Sequence, residues 1–481
     1  MKKSSIFINL FLNTIYEILL IFCPLITAPY ISRVLLSNGV GVYSYTSSLV
    51  SYFLMFAALG TYTYATREVS INRNDKVKLS KLFWEIEVLT GITSFIALVS
   101  WSLLSYYYVE YKSLLFLYGL QIIACFFDIS WLYAGLEKFK YTILLNSLIK
   151  IISVIMCFVL VKKADDVNIY IFIQSAAILL GNLSMWMFLP KFLCKCRIEF
   201  KSVFLHFKNT LVYFVPTIAA TLYTMIDKTL IGLITSDNSE NGFYEQATKI
   251  ISIVKSTFII SIVNVICPRM SYLFKNKEKN KIQLITHSTL NLILALCIGS
   301  FFGIIGVAEN FVELFFGSGY DKTVDILYFL SPIVIALGFT KTLGSLYFIP
   351  SGKINKSSKI LIIGAVTNLV LNIALIPQFK SIGAAIASVI SEFVIAILYF
   401  YNCEKIVCFK DIIKMIYKKI IAGLVMLVII LLLNELPIDN SIIRLVVSVL
   451  LGLIIYFMIL FIMKDDSITI GINLIKERRK K

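Results

Sequence analysis

Apolar runs of about 20 residues recur along the whole of this 481-residue chain, with short polar segments between them. A run of that length, folded as an α-helix, crosses the ~30 Å hydrocarbon core of a bilayer. Backbone N–H and C=O groups find no water inside a membrane, so only helices and closed barrels can span it. The repeated runs therefore predict an all-α polytopic membrane protein.

The apolar runs divide into fourteen predicted transmembrane helices. Because this number is even, both termini are expected on the same side of the membrane. The predicted spans are 6–34, 40–64, 84–108, 113–133, 141–161, 168–190, 210–234, 245–268, 286–308, 324–348, 358–377, 381–402, 415–434 and 441–463.

Lysine and arginine are unevenly distributed between the two sides that these spans define. Most of them, from Lys2 through Lys419 to the tail at 476–481, fall on the side of the termini, and few, such as Lys112, fall opposite. Since cytoplasmic loops concentrate these residues, both termini are predicted to be cytoplasmic. The net charge of +17 is thereby explained as a topology signal, and nucleic-acid binding is not predicted.

Two short motifs occur twice. Residues 41–46 at the start of the second span resemble 242–247 at the start of the eighth, and 134–138 resemble 351–355. Such internal similarity suggests two lobes of the same orientation, related by an axis along the membrane normal. The predicted parts are an N-terminal six-helix lobe (1–208), a C-terminal six-helix lobe (209–403), and helices 13 and 14 with a basic cytoplasmic tail (404–481).

Charged residues inside the seventh and eighth spans are the first candidates for function. An ionised group at bilayer depth is costly unless it meets a partner or water. Asp227 and Lys228 are adjacent and could neutralise each other, whereas Lys249 and Lys255 have only Glu245 nearby in sequence. This hairpin is predicted to line a polar cavity in which an anionic ligand neutralises the lysines.

Further candidates extend this cavity. Lys150 is placed near mid-membrane, whereas Arg33, near the outer end of the first span, could instead reach the interface. Tyrosines beside the charges could stack on sugar rings, although tyrosine is also enriched in interfacial belts. The predicted cavity residues are Lys249, Lys255, Lys228, Asp227, Lys150, Arg33, Tyr223 and Tyr244.

Nothing in the sequence predicts a cofactor or a metal site. Cys194 and Cys196 form the only close cysteine pair, and no histidine lies near them with metal-ligand spacing. The chain also lacks the glycine-rich ATP-binding loop, so uphill transport would need an ion gradient or consumption of the product. Glu17, Asp128 and Glu392 are candidate carriers of a coupling ion, H⁺ or Na⁺.

Several passages resemble, in order and spacing, the bacterial polysaccharide-repeat-unit flippases of the Wzx type. The resemblance extends over essentially the whole chain, in collinearity with the fourteen spans. The passages that carry it are 29–75, DISWLYAGLEKFK (128–140), VPTIAATLYTMIDKTLIG (215–232), NGFYEQATKI (241–250) and PRMS (268–271).

This resemblance implies the fold of the multidrug/oligosaccharidyl-lipid/polysaccharide exporter superfamily, in which two six-helix lobes open alternately to the two sides. It implies a substrate, an oligosaccharide on polyprenyl (undecaprenyl) pyrophosphate, moved from the inner to the outer leaflet of the bacterial cytoplasmic membrane. By resemblance, Lys249 and Lys255 would hold the pyrophosphate or acidic sugars, Asp227 and Lys228 would help form the cavity, and helices 13 and 14 would border a lipid groove. Membrane lipids and other polysaccharide-assembly proteins are the further partners it suggests.

Two alternatives remain open from the residues. A membrane glycosyltransferase or polymerase typically carries acidic catalytic residues in a long first outer loop, but here that loop is Ser37-Asn38-Gly39. An ion-coupled multidrug exporter of the same superfamily would need central carboxylates for a cationic substrate. Glu17, Asp128, Asp227 and Glu392 keep this second alternative open, and the intramembrane lysines oppose it.

Overall fold

The structure is a computed structural model that describes residues 3–194, 196, 198–404, 406–437 and 440–469. Within these ranges it describes all side chains except those of residues 3–18, 20, 21, 215, 216, 219 and 220. The described chain is helical, without a β-strand. The predicted all-α fold is thereby confirmed.

The described residues of the first half of the chain form eight α-helices. Two single 3₁₀ turns, at Val109–Tyr111 and Leu189–Lys191, precede α4 and follow α7. The helices are α1 (Lys3–Ala58), α2 (Thr61–Asn72), α3 (Lys76–Tyr107), α4 (Lys112–Phe126), α5 (Ser130–Gly135), α6 (Lys140–Leu160), α7 (Val167–Trp186) and α8 (Phe200–Ile234).

In the second half, the part that the structure describes forms eight more α-helices and two π-helices. The π-helices, Lys255–Ile260 and Gly344–Phe348, continue α9 and α13 without a gap. The α-helices are α9 (Asn238–Val254), α10 (Ser261–Lys275), α11 (Lys279–Phe316), α12 (Asp321–Leu330), α13 (Ile333–Leu343), α14 (Ile354–Asn402), α15 (Phe409–Asn434) and α16 (Ser441–Ile462).

Many of these helices are long enough to cross a bilayer. Of the described residues, ten helices have the necessary length and apolarity, or eleven if α12 and α13, bent by 46° at their junction, form one span. Both α1 and α14 are pairs of helices, broken at Leu36 (φ 59°) and at Lys380 (φ 51°). The chain is a multi-pass membrane protein, and the number fourteen stays a prediction.

The chain packs into two compact units. One comprises residues 1–232 and 237–242, and the other comprises 233–236 and 243–481. The first unit therefore includes most of α8, beyond residue 208, and the second includes α15 and α16 together with the preceding helices. The predicted three-part division follows the sequence repeat rather than the packing, and it stays a prediction.

In the first unit, α4 lies at the centre of the packing. It contacts α1, α3 and α7, and α6 packs on α7. The core between them contains Trp101 and Tyr118, both almost fully buried. The indole of Trp101 donates to the carbonyl of Leu115 at 2.8 Å, so its one polar group is satisfied inside the core.

In the second unit, α11 occupies the central position. It contacts α10, α12 and α13 on one side and α15 and α16 on the other. Gly299 and Gly306 of α11 permit this close approach, because a Cβ atom there would lie 2.9 Å from Tyr456 and from Ile430, respectively. The long helix α11 is thus the scaffold on which the two C-terminal helices are mounted.

The outer surfaces of both units are apolar. Phe95, Val265, Ile397 and Leu450 are all at least half exposed, and many other large apolar side chains resemble them. A water-soluble protein rarely exposes apolar patches of more than a few hundred Å². A lipid surrounding accounts for this surface, in agreement with the length and apolarity of the helices.

The two glycines of the repeated motif lie against each other within the first unit. A Cβ atom on Gly41 would lie 1.7 Å from the carbonyl oxygen of Asn238, and one on Gly242 would lie 2.0 Å from that of Ser37. The contact is reciprocal, because each glycine meets the residue four positions before the other. The motif at 41–46 and 242–247 therefore marks a close helix crossing that only glycine permits.

Candidate functional site

A group of basic residues lies where the first π-helix of the second unit begins. Lys255 opens this π-helix, and a π-turn often marks a functional position in a longer helix. Its half-buried ammonium interacts electrostatically with Lys341 of α13 and Glu392 of α14. Within the described part of the chain, no acceptor or carboxylate is within bonding distance of this ammonium.

Among the described residues, the carboxylate that interacts with Lys255 is already engaged. Glu392 is buried and accepts a hydrogen bond from the hydroxyl of Thr340 on α13. Lys255 therefore faces a second lysine and a carboxylate that is bonded elsewhere. The resulting site has an excess of positive charge, which an anionic group of a ligand would neutralise.

One turn and a half before Lys255, Lys249 has a partner. Its ammonium lies 3.6 Å from the carboxylate of Glu245, in the i,i+4 spacing of a helix, and its side chain is 30% exposed. The sequence predicts a ligand for both lysines, but the structure distinguishes them. Lys255 has greater need of an external anion than Lys249.

Tyr244 lies inside the packing of the second unit. Its side chain is buried, and its hydroxyl is 3.3 Å from that of Ser388 on the second half of α14. Asn368, on the first half of α14, donates to the same serine hydroxyl, and Asn372 donates to Asn368. These buried hydrogen bonds join the two halves of α14 to α9.

An apolar groove of about 550 Å³ lies beside the basic residues. Ile250, Val254 and Phe258, spaced by four, supply one wall, so the segment that carries Lys255 also borders the groove. The hydroxyl of Tyr456, which also lines the groove, donates to the carbonyl of Ala295 at 2.7 Å. Among the described residues, no charged side chain lines the groove, whose other walls are formed by α11, α12, α15 and α16.

In the first unit, Asp227 and Lys228 lie near the end of α8. Asp227 is buried, and the hydroxyl of Tyr52 on α1 interacts with it electrostatically. The same hydroxyl and that of Ser48 lie 2.9 and 2.8 Å from the Thr229 hydroxyl. Three hydroxyl groups are thus joined to one another beside a buried acid.

The remaining predicted residues are scattered over the first unit. Lys150 of α6 donates to the side chain of Gln174 on α7 at 3.3 Å, Arg33 is exposed on α1, and Tyr223 is half-buried on α8. Asp128 is half-buried and accepts the N–H of Ser130 at 2.9 Å, at the turn into α5. The side chain of Glu17 lies outside the described residues.

One polar cluster in the first unit was not anticipated from the sequence. The ring of His206 on α8 lies between the Tyr64 hydroxyl, 2.7 Å from Nδ1, and Glu85 of α3, 3.2 Å from Nε2. His206 appears isolated in the sequence because its partners come from α2 and α3. In the sequence, Glu85, an acid next to the predicted start of the third span, is the residue that could have indicated this polar cluster.

Lys419 is a second surprise. In the sequence it belongs with the loop cations, but α15 buries it completely. Its ammonium donates to both oxygens of Asp465, at 3.0 and 3.1 Å, and to Asn291 and the Met415 carbonyl, both at 2.6 Å. The spacing of Lys419 and Asp465 in the sequence gives no indication of this pair.

Comparison with known proteins identifies the family. The model of the family described as polysaccharide biosynthesis protein matches residues 6–274, more than half of the chain. The chain belongs to this family. The resemblance to Wzx-type flippases that the sequence motifs carry is thereby confirmed.

Individual relatives and a solved structure agree with the family. A protein of Escherichia coli (strain K12), provisionally named as an O-antigen transporter, is 26% identical over 396 residues, 80% of this chain and 94% of the relative. A protein of Haloferax volcanii, named as a probable low-salt glycan biosynthesis flippase, is 25% identical over 268 residues, 54% of this chain and 55% of the relative.

The solved structure is the lipid II flippase MurJ in an inward closed conformation. It superposes with a TM-score of 0.74 at 17% identity, over 96% of this chain and 100% of that chain. At this identity the likeness concerns the fold alone. This chain therefore has the fold of MurJ, in agreement with the fold that the sequence motifs implied.

Proposed function

We propose that this protein is a flippase that moves an oligosaccharide linked to polyprenyl (undecaprenyl) pyrophosphate from the inner to the outer leaflet of the cytoplasmic membrane. Membership of the polysaccharide biosynthesis family and the MurJ-like fold support this proposal. The observation that carries it is the adjacency, on one helical segment, of a basic site and an apolar groove. A lipid-linked pyrophosphate has an anionic group that matches the basic site and an apolar chain that matches the groove.

The two halves of the substrate call for different surroundings. An oligosaccharide pyrophosphate cannot cross hydrocarbon unaided, because its polar groups would lose water without gaining partners. Lys255 and Lys341 would replace the hydration of the pyrophosphate, since ammonium groups bind phosphate oxygens through charge-assisted hydrogen bonds. The polyprenyl chain would lie in the groove, which offers it only apolar contacts.

The other cavity residues have proposed roles along the path of the head group. Lys249 would add a weaker cationic contact, and Lys228, Lys150 and Arg33 would contribute positive potential. Asp227 with its neighbouring hydroxyls, and Tyr223 and Tyr244, would contact sugars. Alternating access by the two lobes, and a coupling ion carried at Glu17, Asp128 or Glu392, complete the proposal.

The direction of transport depends on orientation in the membrane. The concentration of basic residues on the side of the termini supports a cytoplasmic location for both ends in a bacterial inner membrane. Membrane lipids, and other proteins of polysaccharide assembly that supply or consume the substrate, are the proposed partners. An ion-coupled multidrug exporter is the alternative, because the fold is shared within the superfamily.

Reconstitution distinguishes these functions. Purified protein in liposomes should render a lipid-linked oligosaccharide accessible from the opposite leaflet, while organic cations should not accumulate. In cells, deletion should abolish surface polysaccharide and leave the lipid-linked sugar inside, where mass spectrometry can identify it. Cation accumulation with intact surface polysaccharide would instead establish the drug exporter, and sugar transfer by the purified protein would establish an enzyme.

The role of the groove has a separate test. A Cβ atom at Gly303 would still lie 3.9 Å from Met426, so alanine fits there, whereas leucine would fill part of the groove. We expect Gly303→Leu to reduce flipping of long-chain substrates and Gly303→Ala to leave it nearly unchanged. Equal activity of the two variants on a long polyprenyl chain would remove the groove from the path of the tail.

A further inference from the structure

The α3 helix of the first unit carries a buried carboxylate without a partner. Glu87 is only 3% exposed, and neither of its oxygens has a hydrogen-bond partner within the described residues. At 1.5 Å per residue it lies about 16 Å along α3 from Lys76, within the apolar helix Lys76–Tyr107 and just after the start of the predicted span 84–108. A group in this position is expected to have a function.

The surroundings of Glu87 are apolar and aromatic. A cavity of about 570 Å³ borders it, lined mainly by α3 and the end of α4. Trp84, Phe126, Phe127 and Trp186 supply its aromatic walls. None of these side chains carries a positive charge, so none can form an ion pair with a carboxylate.

The titratable groups that face Glu87 are few. Asp128 interacts with it electrostatically, and Cys125 of α4 interacts with both acids. Tyr62 of α2 interacts with Asp128. Where the structure describes side chains, no lysine or arginine is paired with Glu87. Among the described side chains, the charged group that interacts electrostatically with Glu87 is therefore another acid, Asp128.

Such a site strongly disfavours an ionised Glu87. A carboxylate that loses water without gaining a partner is costly, and a second carboxylate nearby adds repulsion. Binding a proton removes both costs by making the group neutral. A sodium ion would need several oxygen ligands, but the aromatic walls supply none. The surroundings of Glu87 thus suit a proton rather than a metal cation.

Glu85, two residues earlier on α3, has different surroundings from Glu87. It is buried to a similar extent, but its carboxylate lies 3.2 Å from His206 and 4.0 Å from the ammonium of Lys81, which also pairs with Glu199. Cys196 and the hydroxyl of Tyr64 complete its polar surroundings. One helix therefore holds two buried acids, one with a histidine and a lysine beside it and one with no such partner among the described residues.

We propose that Glu87 is a proton-binding site of the first unit and that the protonation of this carboxylate is coupled to transport. The carboxylate takes up one proton from water. One O–H bond of a hydronium ion breaks, one O–H bond of the carboxylic acid forms, and the negative charge of Glu87 is neutralised. The coupling of protonation to transport rests on the proposed flippase function, whereas proton binding at Glu87 does not.

Infrared spectroscopy of the protein in lipid nanodiscs tests the proton site without a substrate. At neutral pH the wild type should show the C=O stretching band of a protonated carboxylic acid. The Glu87→Gln variant, which keeps shape and neutrality, should lose that band. The Glu85→Gln variant should retain it, because it removes an acid that has a histidine and a lysine beside it. A wild type without the band, or a band that survives Glu87→Gln, would overturn the proposal.

Coupling is then measured in liposomes with an imposed pH gradient. A gradient of one pH unit biases an exchange of one proton about tenfold. We expect the wild-type ratio of substrate between leaflets to follow the gradient with up to this bias, and that of Glu87→Gln to be independent of it. A wild type that flips substrate without any dependence on the gradient would overturn coupling alone. A wild type that shows the infrared band but flips nothing would overturn the flippase function and leave the proton site.

Discussion

Two lysines in the spanning helices of the second unit have opposite surroundings. Lys419 is completely buried and bonded to two carboxylate oxygens, an amide oxygen and a carbonyl. Lys255 is half-buried and faces Lys341 and a carboxylate that is bonded elsewhere. The same residue type thus holds helices together in one place and leaves positive charge available in the other.

The difference shows how to separate structural from functional charges inside a membrane. Both lysines are costly at this depth by residue type alone. What distinguishes them is the number of hydrogen-bond acceptors around each ammonium group. An ammonium that already donates all of its hydrogen bonds to the protein cannot bind a ligand. Removing Lys419 should therefore affect folding, and removing Lys255 should affect transport.

The largest expected effect is on stability, at Lys419. Lys419→Met leaves Asp465 buried without its cation, which typically costs about 3–5 kcal/mol. We expect a lower melting temperature in detergent and less protein in the membrane. Replacing both partners, Lys419→Met with Asp465→Leu, should recover much of the loss. A single variant as stable as the wild type would show that the pair is not structural.

Lys255 comes next, with an effect on transport. Lys255→Ala removes a charge-assisted contact worth about 1.5–3 kcal/mol, or roughly 10–100-fold in flipping. Its melting temperature should remain that of the wild type, because no bonded partner is lost. Lys255→Arg should restore part of the activity. Normal surface polysaccharide in Lys255→Ala would remove this lysine from the site.

Lys249 should give a smaller effect. Its charge is already offset by Glu245, so Lys249→Ala should impair export by only a few-fold, on the order of 0.5–1 kcal/mol. Glu245→Gln should release Lys249 and tighten binding of an anionic lipid. Measured affinities for a short-chain polyprenyl pyrophosphate would reveal both changes. An equal loss in the Lys249 and Lys255 variants would contradict the distinction drawn from their partners.

The smallest effect is expected at an exposed pair outside the spans. Lys353 pairs with Glu404, and its hydrogen bond and charge hold the pKa of that carboxyl below its ordinary value. Exposed pairs contribute about 0–1 kcal/mol, so Lys353→Ala should scarcely change the melting temperature. The contribution exists above the ordinary glutamate pKa, about 4.3, and disappears as the pH falls further. Melting curves between neutral and acidic pH would detect a larger role.

Much of the fold follows from the sequence. Apolar runs of membrane length require helices because the backbone must bond internally, whatever the neighbouring helices are. The motif at Gly41 and Gly242 also marked a real feature, a reciprocal close contact. The break within α1, at Leu36, falls between the predicted spans 6–34 and 40–64, and the break within α14, at Lys380, falls between 358–377 and 381–402. The two π-helices were not predicted, because local backbone geometry responds to packing rather than to composition.

The sequence by itself determined that the chain crosses a membrane many times, to which family it belongs, and which helices carry charge. Only the tertiary structure decided what each charge is for. Asp465 bonds to Lys419 and His206 to Glu85, whereas Glu87 bonds to no cation where the structure describes side chains, although nothing in the sequence spacing distinguishes these residues. The physical reason is that the energy of a buried charge depends on partners brought by other helices, and those partners are distant in sequence.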